Sequence, residues 1–340
     1  MPSSEPGLGK ECIVKKYGNR ICRCLGFLLL MAVLVAALSW ALGSADFQEV
    51  GKIRGAYRGL YGEPEQTIDA LYLGDSECYY SISPMEIWED YGLATHCLST
   101  PDKPVQLFYE FLESALQYQS PSVVILETNC IYRKATLEDI LRSQVRVEVP
   151  AAANHDAWRR ISRKDLGEKR SVREIDDMKG YFFGTRCVPW RGGEYMVKTD
   201  AVEPIPHYAR GALDRLVTLC REKEIRLVLL SVPAPQFASW ERHNALAAFA
   251  EENDLTYLDL NLMTEELGID WAVHSRDGGD HLNHAGALLV SDYLGKWLTA
   301  QGLPDHRGEP EYAQWEISLE NYHAIVAEND PDWERTLREP

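Results

Sequence analysis

Residues 24–43, Cys24 to Gly43, carry no charged side chain and read almost continuously apolar through Phe27, Leu28, Leu29, Leu30, Met31, Val33, Leu34 and Val35. Twenty helical residues reach about 30 Å, the thickness of a bilayer's hydrocarbon layer, so the pattern predicts one membrane-spanning helix. Downstream the apolar positions fall into shorter blocks. Ala70–Leu73 predicts a strand that runs into Gly74, Asp75 and Ser76. Ser83–Tyr91 predicts a short helix with Pro84 in its first turn, and Leu93–Leu98 a second strand. Pro104–Tyr118 places Val105, Phe108, Phe111, Leu112 and Leu116 at helical spacing. Ser122–Glu127 is the clearest buried strand and ends at Thr128 and Asn129. Helices are expected at Pro206–Lys223, Trp240–Asn253 and Asn283–Thr299, and strands at Arg226–Val232 and Leu255–Leu258. Residues 132–204 lack a sustained period and read as an insertion between core elements.

Strands that alternate with helices imply an α/β fold, a parallel sheet with helices on both faces. Ligands of such sheets bind outside the carboxyl ends of the strands. Ser76, Asn129 and the loop before His281 all fall at such ends. The expected organisation is a cytoplasmic tail (1–23), a transmembrane helix (24–43), a stalk (44–66), the α/β domain (67–303) with its insertion at 132–204, and an acidic extension (304–340). Tyr312, Trp315, Tyr322 and Trp333 in that extension favour a packed helix over disorder.

Charge sets orientation and excludes one class of partner. Lys10, Lys15, Lys16, Arg20 and Arg23 precede the apolar segment, and Asp46 and Glu49 follow it. Basic flanks stay in the cytoplasm, so the N-terminus is expected inside and the α/β domain outside, on a retained single-pass anchor in the cell membrane. The net charge of −17 and the lack of a basic face argue against nucleic acid. The eight cysteines show no metal spacing, and those of the outer domain read as small buried hydrophobes. No cofactor is expected.

The candidate chemistry follows from side-chain type and place. A serine hydroxyl becomes a nucleophile when a base takes its proton, and Ser76 stands where a strand turns into a helix. Asp75 and Ser76 can equally act as helix caps. His281 suits a general base, with His284 as its competitor. Asp277 and Asp280 are candidates to orient the imidazole. Asp280 is adjacent in sequence and awkwardly placed for that task; Asp277 can reach back across Gly278 and Gly279 and is preferred. The Asn129 amide can donate to an oxyanion, a contact worth about 3 kcal/mol of barrier. Asp277, Asp280, His281 and His284 are also metal-type ligands, but no partner group appears elsewhere and no metal is expected. Trp158, Trp190, Tyr195 and Trp240 read chiefly as packed side chains, with an acceptor groove as the alternative.

Gly74-Asp75-Ser76, Asn129 after a strand, and His281-Leu282-Asn283 before Ala285-Gly286, in this order, resemble the SGNH (GDSL-type) hydrolase superfamily over roughly residues 68–302. The resemblance implies a three-layer, flavodoxin-like sheet. It also implies serine esterase or O-acyltransferase activity through Ser76, His281 and an acid, with the Ser76 N–H and Asn129 forming the oxyanion hole. Two departures stand out. The family's acid lies three residues before its histidine, where this chain has Gly278. The family's second block offers a glycine N–H, whereas Leu98–Asp102 has none, and Ser99 or Thr100 must donate instead. One N-terminal anchor with an outer SGNH-like domain is similar in layout to the D-alanyl transfer protein of teichoic-acid modification. By analogy, the expected substrate is a cell-envelope polymer or small acyl ester, with a membrane acyl-donor protein as a possible partner. A non-catalytic scaffold on the same fold is the alternative.

Overall fold

A computed structural model describes residues 8–42, 59–136 and 175–329; within the first stretch, side chains are described for 20–37. The expected tail, stalk, insertion and C-terminal extension therefore lie partly outside the described residues, with Trp158 and Trp333 among those outside. Helix α1, Leu8–Leu42, contains the expected span apart from Gly43. Its stretch Arg20–Ala37 has a mean hydropathy of 2.1 and none of it is buried. The helix and the α/β domain belong to separate compact units.

The domain is built on five parallel strands: β1 (Ala70–Gly74), β2 (Thr95–Ser99), β3 (Val123–Glu127), β4 (Arg226–Ser231) and β5 (Thr256–Asp259). Their spatial order is β2-β1-β3-β4-β5, the flavodoxin-like arrangement, with a topological switch between β1 and β3. Ala70 pairs with Thr95 on one side and Val123 on the other. Every residue of β1, β2 and β3 is buried. Both faces of the sheet are covered, so these strands read as apolar runs rather than as an alternation.

The helices are α2 (Ser76–Ser81), α3 (Pro84–Tyr91), α4 (Val105–Ala115), α5 (Asn129–Tyr132), α6 (His207–Glu222), α7 (Trp240–Asn253), α8 (His284–Ala300) and α9 (Ala313–Asn329). On one face of the sheet Leu71, Leu73, Leu126 and Leu229 pack with Phe108 and Phe111 of α4, Leu213 and Leu216 of α6, and Phe249 of α7. On the other, Tyr72, Ile125, Val228 and Leu230 pack with Cys78, Ile87, Val290 and Leu294. Alternate residues of each strand thus feed two cores. Each fully buried Leu or Phe contributes about 1.5–3 kcal/mol.

The described elements depart from the sequence pattern in places with a local cause. Strand β2 begins two residues later than expected, because the Ala94 N–H donates to the Asp69 carboxylate (2.9 Å) instead of joining the ladder. Helix α2 is the helix expected to follow the strand at Ser76; at six residues it is too short to show a period. The acidic extension does hold a packed helix, α9, with Trp315 and Tyr322 buried. Its docking is polar as well as apolar: buried Lys179 pairs with Glu63 at 2.6 Å and donates to Ser318 Oγ at 3.1 Å.

Candidate active site

The switch between β1 and β3 leaves a crevice at the carboxyl ends of both strands, and the chain leaves each strand through a polar turn. Gly74 ends β1. A Cβ there would lie 2.6 Å from the Glu127 Cβ and 2.8 Å from the Cys78 Cβ, so close approach to β3 requires glycine. Asp75 precedes α2 but makes no side-chain cap bond. It is fully buried and accepts from Arg133 Nε at 2.5 Å. Ser76 opens α2 and is 8% exposed.

Around Ser76 lies a nest of carboxylates. The Ser76 hydroxyl donates to Glu77 Oε2 at 3.2 Å. The other Glu77 oxygen accepts from Asn129 Nδ2 (2.6 Å) and Arg133 Nη2 (2.9 Å). Glu127, the last residue of β3, accepts from the Asn129 N–H at 2.8 Å. Asp75 Oδ1 and Glu127 Oε2 are buried without a hydrogen-bond partner. Burial, reinforced by the charge of Asp75, pushes the carboxyls of Glu77 and Glu127 well above the usual range; at Glu77 the Arg133 guanidinium partly opposes this. Protonated acids can share hydrogen bonds here that charged ones would repel.

His281 comes from the loop before α8. Gly278 and Gly279 adopt φ of +82° and +94°, a bend that other residues resist, and a Cβ on Gly279 would strike the Trp190 ring at 2.8 Å. The bend lets Asp277 turn back on His281: its Oδ2 meets Nδ1 at 2.7 Å and its Oδ1 accepts the His281 N–H at 2.8 Å. Asp280 Oδ2 stays 3.6 Å from Nδ1. Burial works to raise the Asp277 carboxyl, but the His281 contacts outweigh it and the net direction is downward. Burial raises Asp280. With Nδ1 held by Asp277, Nε2 is left buried and without a partner. Tyr80 packs on the imidazole at 4.7 Å, and the Arg276 guanidinium lies over the Tyr80 ring at 4.4 Å.

One carboxylate joins the two halves. Glu77, Asp280 and His281 each place a polar atom within 4.8 Å of the others, and Glu77 also holds Ser76 and Asn129. Among the described residues no hydrogen bond runs from Ser76 to His281; Glu77 stands between them. These three residues, or Asp75, Glu77 and Glu127, have the donors to hold a metal ion, though Arg133 already supplies positive charge to Asp75 and Glu77. His284 is buried, meets the Tyr181 hydroxyl at 2.8 Å, and burial drives it down to about 3, so it serves the core. Asn283 caps α8 through the Gly286 N–H. The Thr100 N–H is committed to the Gly74 carbonyl at 3.2 Å, and Ser99 is buried. Trp190 packs on the Gly-Gly bend, and Tyr195 donates to Asn261.

Sequence reasoning passed over Glu77, Glu127 and Arg133. A charged residue closing the apolar run of β3 was the available sign for Glu127. Nothing local marked Arg133, whose role exists only because α5 turns it toward β1.

An open parallel α/β domain with this crevice at its switch point is a class that houses many activities. No protein-family profile matches the sequence, and no curated protein does. Among solved structures the chain is similar to a GDSL-like lipase from Bacteroides thetaiotaomicron, at 10% identity and a TM-score of 0.38, covering 73% of this chain and 99% of that one. It is also similar to a candidate lipolytic protein of the G-D-S-L family from Desulfitobacterium hafniense, at 11% identity and a TM-score of 0.37, covering 67% and 97%. At these TM-scores the likeness transfers no activity, and the residues of the crevice must carry the function.

Proposed function

We propose that the chain is a serine esterase or O-acyltransferase held at the outer face of a membrane by α1. The observation that carries this reading is the Asp277–His281 pair, whose imidazole has a ring nitrogen within 4.8 Å of Glu77, the carboxylate that holds the Ser76 hydroxyl and the Asn129 amide. Turning the Ser76 hydroxyl from Glu77 to Nε2 would complete the relay. Ser76 Oγ then bonds to the ester carbonyl carbon as its proton passes to Nε2, and Asp277 steadies the imidazolium. The Ser76 N–H and Asn129 Nδ2 receive the oxyanion. Collapse breaks the bond to the leaving alkoxide, which takes the proton from His281. Water or an alcohol then repeats the sequence and frees Ser76. An ester-linked acyl group of a cell-envelope polymer fits an outward domain, with a membrane acyl-donor protein as the source in a transfer reaction.

The test is covalent trapping. A fluorophosphonate probe is expected to label the wild-type chain and not Ser76→Ala. A folded wild-type chain that stays unlabelled would favour a scaffold. That second reading has its own support: Glu77 occupies both the Ser76 hydroxyl and the Asn129 amide, and the Thr100 N–H is already spent. Orientation has a separate check at exposed Cys187. A membrane-impermeant maleimide should reach it in intact cells; labelling only after lysis would place the domain inside.

A further inference from the structure

We propose that the cleft at the carboxyl ends of β3, β4 and β5 is a second binding site, built for a neutral, hydroxyl-rich ring such as a sugar unit. The cleft opens to solvent at the strand ends, where ligands of such sheets bind. Glu127 and Asn129 line it, so it adjoins the candidate active site, but it contains neither Ser76 nor His281. Tyr132, Phe237 and Tyr257 supply flat apolar walls.

The polar wall is a continuous chain of hydrogen bonds. Thr128 Oγ1 meets Ser231 Oγ at 2.5 Å, and Ser231 Oγ meets the Tyr257 hydroxyl at 2.9 Å. The Tyr257 hydroxyl donates to Asp259 Oδ2 at 3.1 Å, and the same oxygen meets His243 Nδ1 at 2.7 Å. Asp259 Oδ1 receives the Asn261 N–H (3.1 Å) and Nδ2 (3.0 Å). Four contacts saturate this carboxylate, so it has nothing left for a cationic ligand. Arg242, the cleft's guanidinium, is gripped by both Glu203 oxygens (2.9 and 3.1 Å) and by the Phe237 carbonyl (2.9 Å). It has little left for an anion. The ring nitrogen His243 does not spend on Asp259 is Nε2, on a side chain that stays 20% exposed at the cleft. A ligand therefore meets aromatic faces, an imidazole nitrogen and ordered hydroxyls, with Asp259 and Arg242 already matched and the Glu127 carboxyl raised by burial. That combination rewards a neutral polyol and gives no return for bringing in an ion.

The full chain in detergent, with histidine isotopically labelled, should be titrated with cellobiose, with diacetylchitobiose, and with galacturonate as the charged counterpart. The His243 resonance is identified by its loss in His243→Ala. At least one neutral disaccharide should shift it saturably. Affinity should fall about tenfold in His243→Ala, followed by calorimetry, and about threefold to fivefold in Tyr257→Phe, which keeps the ring. Ser76→Ala should bind as the wild type does, so failure of the ester chemistry leaves this result untouched. Absence of saturation with both neutral sugars, equal binding in His243→Ala, or a preference for galacturonate would each overturn the proposal.

Discussion

Two His–Asp pairs in this domain share a 2.7 Å bond through Nδ1 and differ in their surroundings. Around His243 the hydroxyls of Thr128, Ser231 and Tyr257 and the amide of Asn261 all find partners. Around His281 the ring Nε2 and Asp280 Oδ1 have none. An unmade buried hydrogen bond costs about 1–3 kcal/mol, so the second region holds its groups against a penalty that the first avoids. The pattern is the one expected when one region is kept ready for chemistry and the other is kept in shape.

Removing the reacting groups should have the largest effect. Ser76→Ala and His281→Ala should each lower turnover of a small acyl ester by about 10⁴-fold or more, while His243→Ala should change it less than about tenfold. Comparable losses in all three would erase the distinction. Next come the acids. Asp277→Asn should cost about 10³–10⁴-fold in kcat by mis-setting the His281 tautomer, and Asp280→Asn less than about tenfold. The reverse order would make Asp280 the orienting acid. Asn129→Ala should cost about 10²–10³-fold, mainly in kcat; an effect confined to KM would remove it from the oxyanion hole.

Smaller effects concern stability. Asp259→Ala orphans donors on His243, Tyr257 and Asn261 and should lower unfolding free energy by about 2–3 kcal/mol in urea titrations. Glu127→Gln should act in the opposite sense. Burial, then the Asp75 charge, hold the Glu127 carboxyl above its ordinary value of 4.5. The folded chain keeps a proton that the unfolded chain has released, so stability falls as pH rises above that ordinary value and levels off past the folded one. The substitution removes this decline. Its Tm should match the wild type near pH 4 and exceed it near pH 7, and a pH-independent difference would count against the buried-acid account.

Much of the frame was legible because burial leaves a local imprint. Val123–Glu127 and Arg226–Ser231 had to be apolar on both faces, and their runs said so. The helices at Trp240–Asn253 and His284–Ala300 were both expected, the second from its apolar positions and the Asn283 cap. Ser76, Asn129 and His281 were recognisable as residues able to react. Their relation to one another was not, since nothing near Ser76 in sequence says that Glu77 would reach Asn129 and Arg133 across the switch between β1 and β3.

Local pattern accounts for the apolar N-terminal helix, the alternation of strand and helix, and the supply of a hydroxyl, imidazoles and acids at strand ends, because periodicity and turn chemistry act over a few residues. Folding selected which histidine is buried in the core and which keeps a free nitrogen, and which acid bonds to it. It alone gathered Asp75, Glu77 and Glu127 into one nest and built the His243 cleft. Desolvation and long-range hydrogen bonding depend on neighbours that folding brings from elsewhere in the chain, and no local pattern records them.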